Sequence, residues 1–332
     1  MRRAFSVLVL LSLFALPASA QTHLVIVSGL GGDEVHSQRF FDWATTMIEA
    51  ASGRYGIADS NITFLAERVE RDPELIDARS TKANVEAALQ AVAGRAGADD
   101  KVMLLLLGHG SYQGEESRLS LPGPDMTPDD FARALAWFPT QSIVIVNTTS
   151  ASGDFVSALS GERRTIVTAT RSPFERNETV FGRFFVEAFS EDVADVDHDE
   201  RLSVLEAFDY ARQEVARHYE SENRLLTEHA VLDDNGDGEG SSEPGIDSAD
   251  GSLASQFVFD LNRGAAAGVA VDDPELSALY TQQRLAQDSL ASLRARRDEL
   301  ETATYDSELE RLLLRLAQIA REIRERGGGG EL

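Results

Sequence analysis

Uninterrupted apolar runs recur along the chain and constrain its fold more than any other feature. They are His23–Ser28 (HLVIVS), Lys101–Leu107 (KVMLLLL), Ser142–Val146 (SIVIV) and Thr165–Ala169 (TIVTA), with a weaker one at Asn61–Ala66 (NITFLA). A strand with one wet face alternates apolar and polar residues. A run apolar at nearly every position belongs to a strand buried on both faces. Helical spacing separates the runs. It passes through Phe40, Trp43 and Met47, and again through Val85, Leu89 and Val92 after a cap at Ser80 or Thr81. Thr127-Pro128-Asp129-Asp130 reads as a helix start, with a cap, a proline in the first turn and acids near the positive end. Strands alternating with helices predict βαβ units, right-handed crossovers and a mostly parallel sheet with helices on both faces.

The ends of the chain read differently. Arg2 and Arg3, the apolar run Val7–Leu16 and the small residues Ala18-Ser19-Ala20 have the pattern of a signal peptide over 1–20. That run is too short to span a bilayer, so a periplasmic or secreted chain starting near Gln21 is expected. The globular part then runs over 21–262, with an acidic lobe at 191–262 that holds one clear helix, Val204–Tyr219. Gly264–Gly268 (GAAAG) marks a linker over 263–273. In 274–326 the spacing is helical throughout. Leu276, Leu279, Leu290, Leu293 and Leu300 form one seam, with Gln283, Ala286 and Arg297 at its other positions. Leu309, Leu312, Leu316, Ile319 and Ile323 form another. A break near Thr302–Asp306 predicts a helical hairpin, with a single coiled-coil helix as the alternative. Such an arm suits packing or self-association. The tail 327–332 is expected to be disordered.

Charge and composition exclude several functions. The chain carries 31 basic and 56 acidic residues, a net charge of -25. That excess argues against nucleic acid or an anionic membrane as partner. There is no cysteine, so disulfides, thiolate metal sites and a cysteine nucleophile are all excluded. Gly29-Leu30-Gly31-Gly32 after the first strand lacks the G-x-G-x-x-G register, and Glu67 comes too late to complete a dinucleotide fingerprint. No nucleotide is expected. The turn instead brings the chain close to the strand ends.

The strongest run ends in Gly108-His109-Gly110. Ligands of open parallel sheets bind beyond the carboxyl ends of the strands, and a histidine there is placed to act as a base. The next strong run ends in Asn147-Thr148-Thr149-Ser150-Ala151-Ser152-Gly153, which sets several hydroxyls beside it. A strand ending in His-Gly, followed by one ending in small residues and Ser-Gly, resembles the legumain and caspase-like cysteine peptidases, closest to the legumain-like bacterial branch. The resemblance covers residues 21 to about 262. It implies a three-layer α/β fold of the caspase type, with His109 at the position of the general base. Aligning Ser152-Gly153 with the family's Ser-Gly places Ser150 where the cysteine stands; a shift of one places Thr149 there. Arg171, Arg176 and Asn177 follow the fifth strand, where the family's loop shapes the specificity pocket. A hydroxyl is not ionised near neutral pH as a thiol partly is, and needs a well-aligned base and oxyanion donors. The expected function is therefore a non-catalytic scaffold that binds a peptide or protein. A serine- or threonine-type hydrolase using His109 with Ser150 or Thr149 is the alternative.

Two acidic loops suggest a cation. Asp195, Asp197, Asp199, Ser203 and Glu206 stand at positions 1, 3, 5, 9 and 12 of an EF-hand calcium loop, with the carbonyl of Arg201 at position 7. Glu200 replaces the glycine of the sharp turn, and Ser203-x-x-Glu206 is also a capping box. Asp233, Asn235 and Asp237 repeat the first half of the pattern, but the twelfth position is Pro244. Loops of this second kind recur in the bacterial proteins the chain resembles. Calcium is the expected ion, because the oxygen set is large and flexible. His229 precedes the second loop and is a candidate to orient it.

Overall fold

The apolar runs become the strands β1 (Thr22–Ser28), β2 (Ile62–Ala66), β4 (Lys101–Leu107), β7 (Ser142–Asn147) and β8 (Arg164–Thr168), all mutually parallel where they pair. The computed structural model describes residues 20–196, 199, 201–261 and 301–327, with single positions between 279 and 300. The short β3 (Ala78–Arg79) closes one edge, and β10 (Val231–Asp233) joins the other antiparallel to β8. The order across the seven-stranded sheet is β10-β8-β7-β4-β1-β2-β3.

Both faces of this sheet are covered, which is why its strands are apolar at successive positions. Leu24, Ile26, Met103, Leu105, Val144 and Val146 face α1 (Glu34–Glu49), α5 (Phe181–Ser190) and α6 (Val204–Ser221). Val25, Val27, Leu104, Leu106, Ile143 and Ile145 face α2 (Lys82–Arg95), α3 (Pro128–Leu135) and α4 (Asp154–Leu159). The result is the mixed three-layer α/β architecture of caspase-like proteins. The helix starts follow the predicted caps. Thr81 accepts the amide of Asn84, and Thr127 with Asp130 forms a capping box at α3.

Several elements carry no signal in the apolar runs. β5 (Gly110–Gln113) and β6 (Glu116–Leu119) form a hairpin directly after His109. In the acidic lobe β9 (Arg201–Ser203) pairs with β11 (Val258–Asp260), and α7 (Ser252–Gln256) adds a second helix to the one expected.

At the C-terminus a helix spans Thr302–Gly327. The segment expected to break, Thr302–Asp306, is therefore its first turn, with a turn at Arg296 and a bend at Leu300 before it. Leu279, Ala286 and Leu290 are buried, as are Leu312 and Ile319, and Arg315 donates to Gln282 at 2.5 Å. The signal segment up to residue 19, the linker 263–273, the tail 328–332, and Asp197, His198 and Glu200 lie outside the described residues. Among the described residues no helix is long and apolar enough to cross a membrane.

Candidate functional site

β1, β4 and β7 are neighbours in the sheet, so their carboxyl ends converge. Gly29 leaves β1 in contact with its neighbours: its amide donates to Leu107 O at 2.8 Å, and a Cβ there would lie 2.4 Å from Ser120 O. The glycine turn is held from the far side by Glu67, whose Oε2 accepts from Gly31 N at 3.1 Å and Ser37 Oγ at 2.5 Å. Glu67 thus acts as a clamp on this turn.

His109 sits where the sequence places it, beyond the end of β4. Its Nε2 lies 3.1 Å from the carbonyl of Gly31. A carbonyl only accepts, so Nε2 carries the proton, and in the neutral ring Nδ1 holds the lone pair. Burial pushes the His109 imidazole below its usual pKa, and the charge of His36 adds to this. The His36 ring meets the His109 ring edge-on at 4.9 Å, and Phe40 packs on the same ring at 5.2 Å. His36 itself is held above its usual pKa, first by its hydrogen bond to Asp33 and then by Glu178. Its Nδ1 lies 2.8 Å from Asp33 Oδ1 and its Nε2 3.3 Å from Glu178 Oε1. The two adjacent rings are thus pushed apart in pKa, His109 toward holding its proton less tightly and His36 toward holding it more tightly. His36, Asp33 and Glu178 were not among the sequence candidates. The available signal was Asp-x-x-His at a helix start.

The hydroxyls at the end of β7 are beside His109 in the sheet, but each is committed elsewhere. Thr148 Oγ1 donates to Leu106 O at 2.8 Å, and Thr149 Oγ1 to Asn147 Oδ1 at 2.7 Å. Ser152 and Thr170 bond to each other at 3.0 Å. Ser150 Oγ donates to Gly110 O at 3.1 Å, in a residue only 5% exposed. Among the described residues no hydrogen bond joins His109 to Ser150 or Thr149. A base–nucleophile pair within hydrogen-bond reach is the first requirement for activating a hydroxyl. Gly110 fixes the spacing: a Cβ there would lie 1.9 Å from Ser150 O, so only glycine lets the two strand ends approach this closely.

The loop after β8 closes the mouth. Arg171 pairs with Glu175 at 3.3 Å, Arg176 lies 5.5 Å above the Tyr112 ring, and Asn177 donates to Thr227 at 3.0 Å. Phe174 meets Tyr112 at 5.4 Å and is 70% exposed. His229 binds Glu175 at 2.7 Å. It therefore orients this mouth loop and not the acidic loop that follows it in sequence. Glu228 caps α5, accepting from Val180 N at 2.9 Å and Phe181 N at 2.8 Å. Burial pushes its carboxyl up to about 7 despite those two amides.

Both acidic loops lie at the opposite end of the sheet. β11 touches the start of β4 through Lys101 Nζ and Val258 O at 3.4 Å, and β10 runs antiparallel to β8, so the chain after Asp233 heads past the start of β8. The first loop is wound closed. Glu206 Oε1 accepts from Val196 N at 3.2 Å while its Oε2 accepts from Ser203 N and Oγ, and Asp195 Oδ1 accepts from Asp199 N. Asp199 Oδ1 also accepts from Arg201 N at 2.9 Å. Ser203 and Glu206 form the capping box of α6. In the second loop Asp233 Oδ1 accepts from Gly236 N at 3.3 Å, its Oδ2 is buried without a partner, and Asn235 bonds Asp237 at 3.0 Å. Asp234 and Asp250 brace the loop through the amides of Gly251, Ala254 and Asn235. Among the described residues no three His, Asp or Glu side chains are grouped as a metal site.

No curated protein matches the chain. The sequence profile of the Peptidase C13 family matches residues 61–232, just over half of the 332 residues. The match takes in the His109 strand, the Ser150 strand and the mouth loop. The whole chain has no cysteine. With the fold, the strand-end histidine and the family profile in agreement, this chain belongs to the peptidase C13 family.

Proposed function

We propose that the chain is a peptidase-fold scaffold that binds a peptide or protein without cleaving it. One observation carries this reading: Ser150 Oγ, at the position of the missing thiol, is buried and donates to Gly110 O, with no hydrogen bond to His109. The exposed Phe174 and the Tyr112 ring beside the strand ends supply apolar surface for a ligand. The test is a peptide-library cleavage assay run beside binding measurements on the same sample. Cleavage that disappears in a His109→Ala variant overturns the reading; binding without cleavage supports it.

A serine- or threonine-type hydrolase is the second reading. It is favoured by the lowered pKa of His109, whose neutral ring keeps a lone pair on Nδ1 once Nε2 donates to Gly31 O. Labelling by a fluorophosphonate, lost on Ser150→Ala or Thr149→Val, decides for it.

Three further readings accompany the scaffold. Calcium is proposed at the loop of Asp195, Asp197, Asp199, Arg201, Ser203 and Glu206, supported by the oxygen spacing and the closure of the loop through Glu206 and Val196. The Asp233, Asn235 and Asp237 loop is proposed as a weaker second site. A calcium-dependent rise in melting temperature, reduced by Asp195→Asn, tests the first. Export to the periplasm or exterior is proposed from the basic, apolar and small-residue pattern of residues 1–20. Self-association is proposed for the C-terminal arm.

A further inference from the structure

A cavity of about 350 Å³ opens between α1, the start of α5 and the end of α6. Arg39 and Trp43 line it from α1, Arg183 from α5, and His218 and Tyr219 from α6, with Arg224 at its rim. In a chain with 31 basic and 56 acidic residues, three arginines and a histidine face this space, and the only carboxylate in the lining is Glu178. Glu178 is itself engaged by Arg39 and by His36. The other basic side chains of the lining are engaged by groups outside it. Arg183 is 3.8 Å from Glu187 Oε2, while Tyr210 takes that residue's other oxygen at 2.6 Å. Arg224 pairs with Glu222 at 2.8 Å and lies 5.0 Å above the Tyr219 ring, and His218 is 3.6 Å from Glu222. Arg183 and Arg224 are both more than half exposed, so solvent screens these pairs and a ligand competes with them at low cost.

We infer that this cavity binds a carboxylate carried on an apolar stem, presented by a peptide lying across the strand ends. The guanidinium forks of Arg183 and Arg224 supply charge-assisted, planar donors, and the Trp43 and Tyr219 rings supply a surface for the stem. The site does not use the N-terminus of α5, because Glu228 already occupies the Val180 and Phe181 amides. Glu178 and His36 connect the cavity to His109, whose ring is 4.9 Å from that of His36. The inference rests on the scaffold reading for the source of its ligand. A glutamyl side chain and a peptide's own C-terminus offer the same chemistry.

Trp43 reports on the cavity directly, because the chain has two tryptophans and Trp137→Phe leaves Trp43 as the only one. In that background the full chain is titrated with N-acetylglutamic acid α-amide, N-acetylleucine and the uncharged amide of each. The expected result is a change in Trp43 emission with one carboxylate probe and not with its amide. The responding probe identifies side chain or chain terminus as the source. Arg183→Gln weakens binding roughly tenfold, since a hydrogen bond to a charged group is lost, and Arg183→Lys recovers part of it. Equal response to charged and uncharged probes, no response to either carboxylate, or an unchanged titration in the Arg183→Gln/Arg224→Gln protein overturns the inference. Calorimetry with a mixed peptide pool separates the two readings. If the pool binds and the carboxylate probes do not, the scaffold stands and this cavity falls. If the probes bind and the pool does not, the carboxylate site stands and the peptide source falls with the scaffold.

Discussion

At the scale of single residues, the difference between a peptidase and a scaffold rests on where one hydroxyl points. Ser150 Oγ bonds Gly110 O, and His109 bonds Gly31 O, so each group that would form a dyad is held by backbone. This makes a direct prediction in a chain that has no cysteine of its own. In Ser150→Cys the single thiol should alkylate slowly, with a pH midpoint at or above that of an ordinary cysteine, about 8.5. Adding His109→Ala should leave that midpoint where it is. A midpoint near neutrality that rises when His109 is removed would mean the two groups do meet. A second residue-scale prediction concerns Glu228. Burial raises its folded pKa to about 7 from an unfolded value of 4.5, so the folded state holds the proton more tightly. The stability tied to this group is complete below pH 4.5 and is lost as pH rises through about 7. The span of that loss is about 3 kcal/mol. Glu228→Gln keeps an oxygen for the Val180 and Phe181 amides and carries no charge. It should melt higher than the parent at pH 8 and lose the slope between pH 4.5 and 7, a comparison made by calorimetry across that range.

Among the elements, those buried on both faces were legible and those held by polar contacts were not. β1, β4, β7 and β8 announce themselves because each successive side chain meets a helix layer. The β5–β6 hairpin does not, since Ser111 and Tyr112 are only partly buried, Gln113 is exposed, and they follow no apolar pattern. The position of His109 could be read because it depends on where a strong strand stops. Its neighbours could not, because His36 and Glu178 approach from α1 and from the loop before α5, far apart in sequence. The same limit applies to Glu67, which lies after β2 but clamps the turn after β1. The acidic loop before α6 had two readings in the sequence, a calcium loop and a capping box, and the structure contains the capping box. Ser203 caps α6, and the Glu206 of that same capping box also ties down Val196. Ser203→Ala removes the cap and one bond to Glu206, so without calcium the protein should lose about 1 kcal/mol. The corresponding drop in melting temperature is about 2–4 °C for a body of this size. A larger drop in the presence of calcium than in its absence would show that the hydroxyl also serves the ion.

For the whole molecule, the question is whether the C-terminal arm is part of the body's stability or a separate device. The arm has a seam of its own: Leu279, Ala286 and Leu290 are buried on one side of the turn, and Leu312 and Ile319 on the other. Its contact with the body includes the ion pair of Arg297 with Asp247 at 3.1 Å, in which both side chains are more than half exposed. An exposed pair of that kind contributes at most about 1 kcal/mol. Among the described residues, the two core clusters that hold the sheet between its helix layers draw on Leu24 to Phe259 and on none from the arm. Removing residues 270–332 should therefore leave the melting transition of the remaining body within a few degrees of the parent. The arm also leaves Leu285, Leu313 and Leu314 exposed, an apolar surface that its own seam does not use. If that surface joins copies of the chain, sedimentation of the full protein should show a mass that falls to that of a monomer on truncation. A truncated protein that melts far below the parent would mean the arm belongs to the body's core. An unchanged association state would mean that the exposed leucines do not hold copies together, and the arm's role would lie elsewhere.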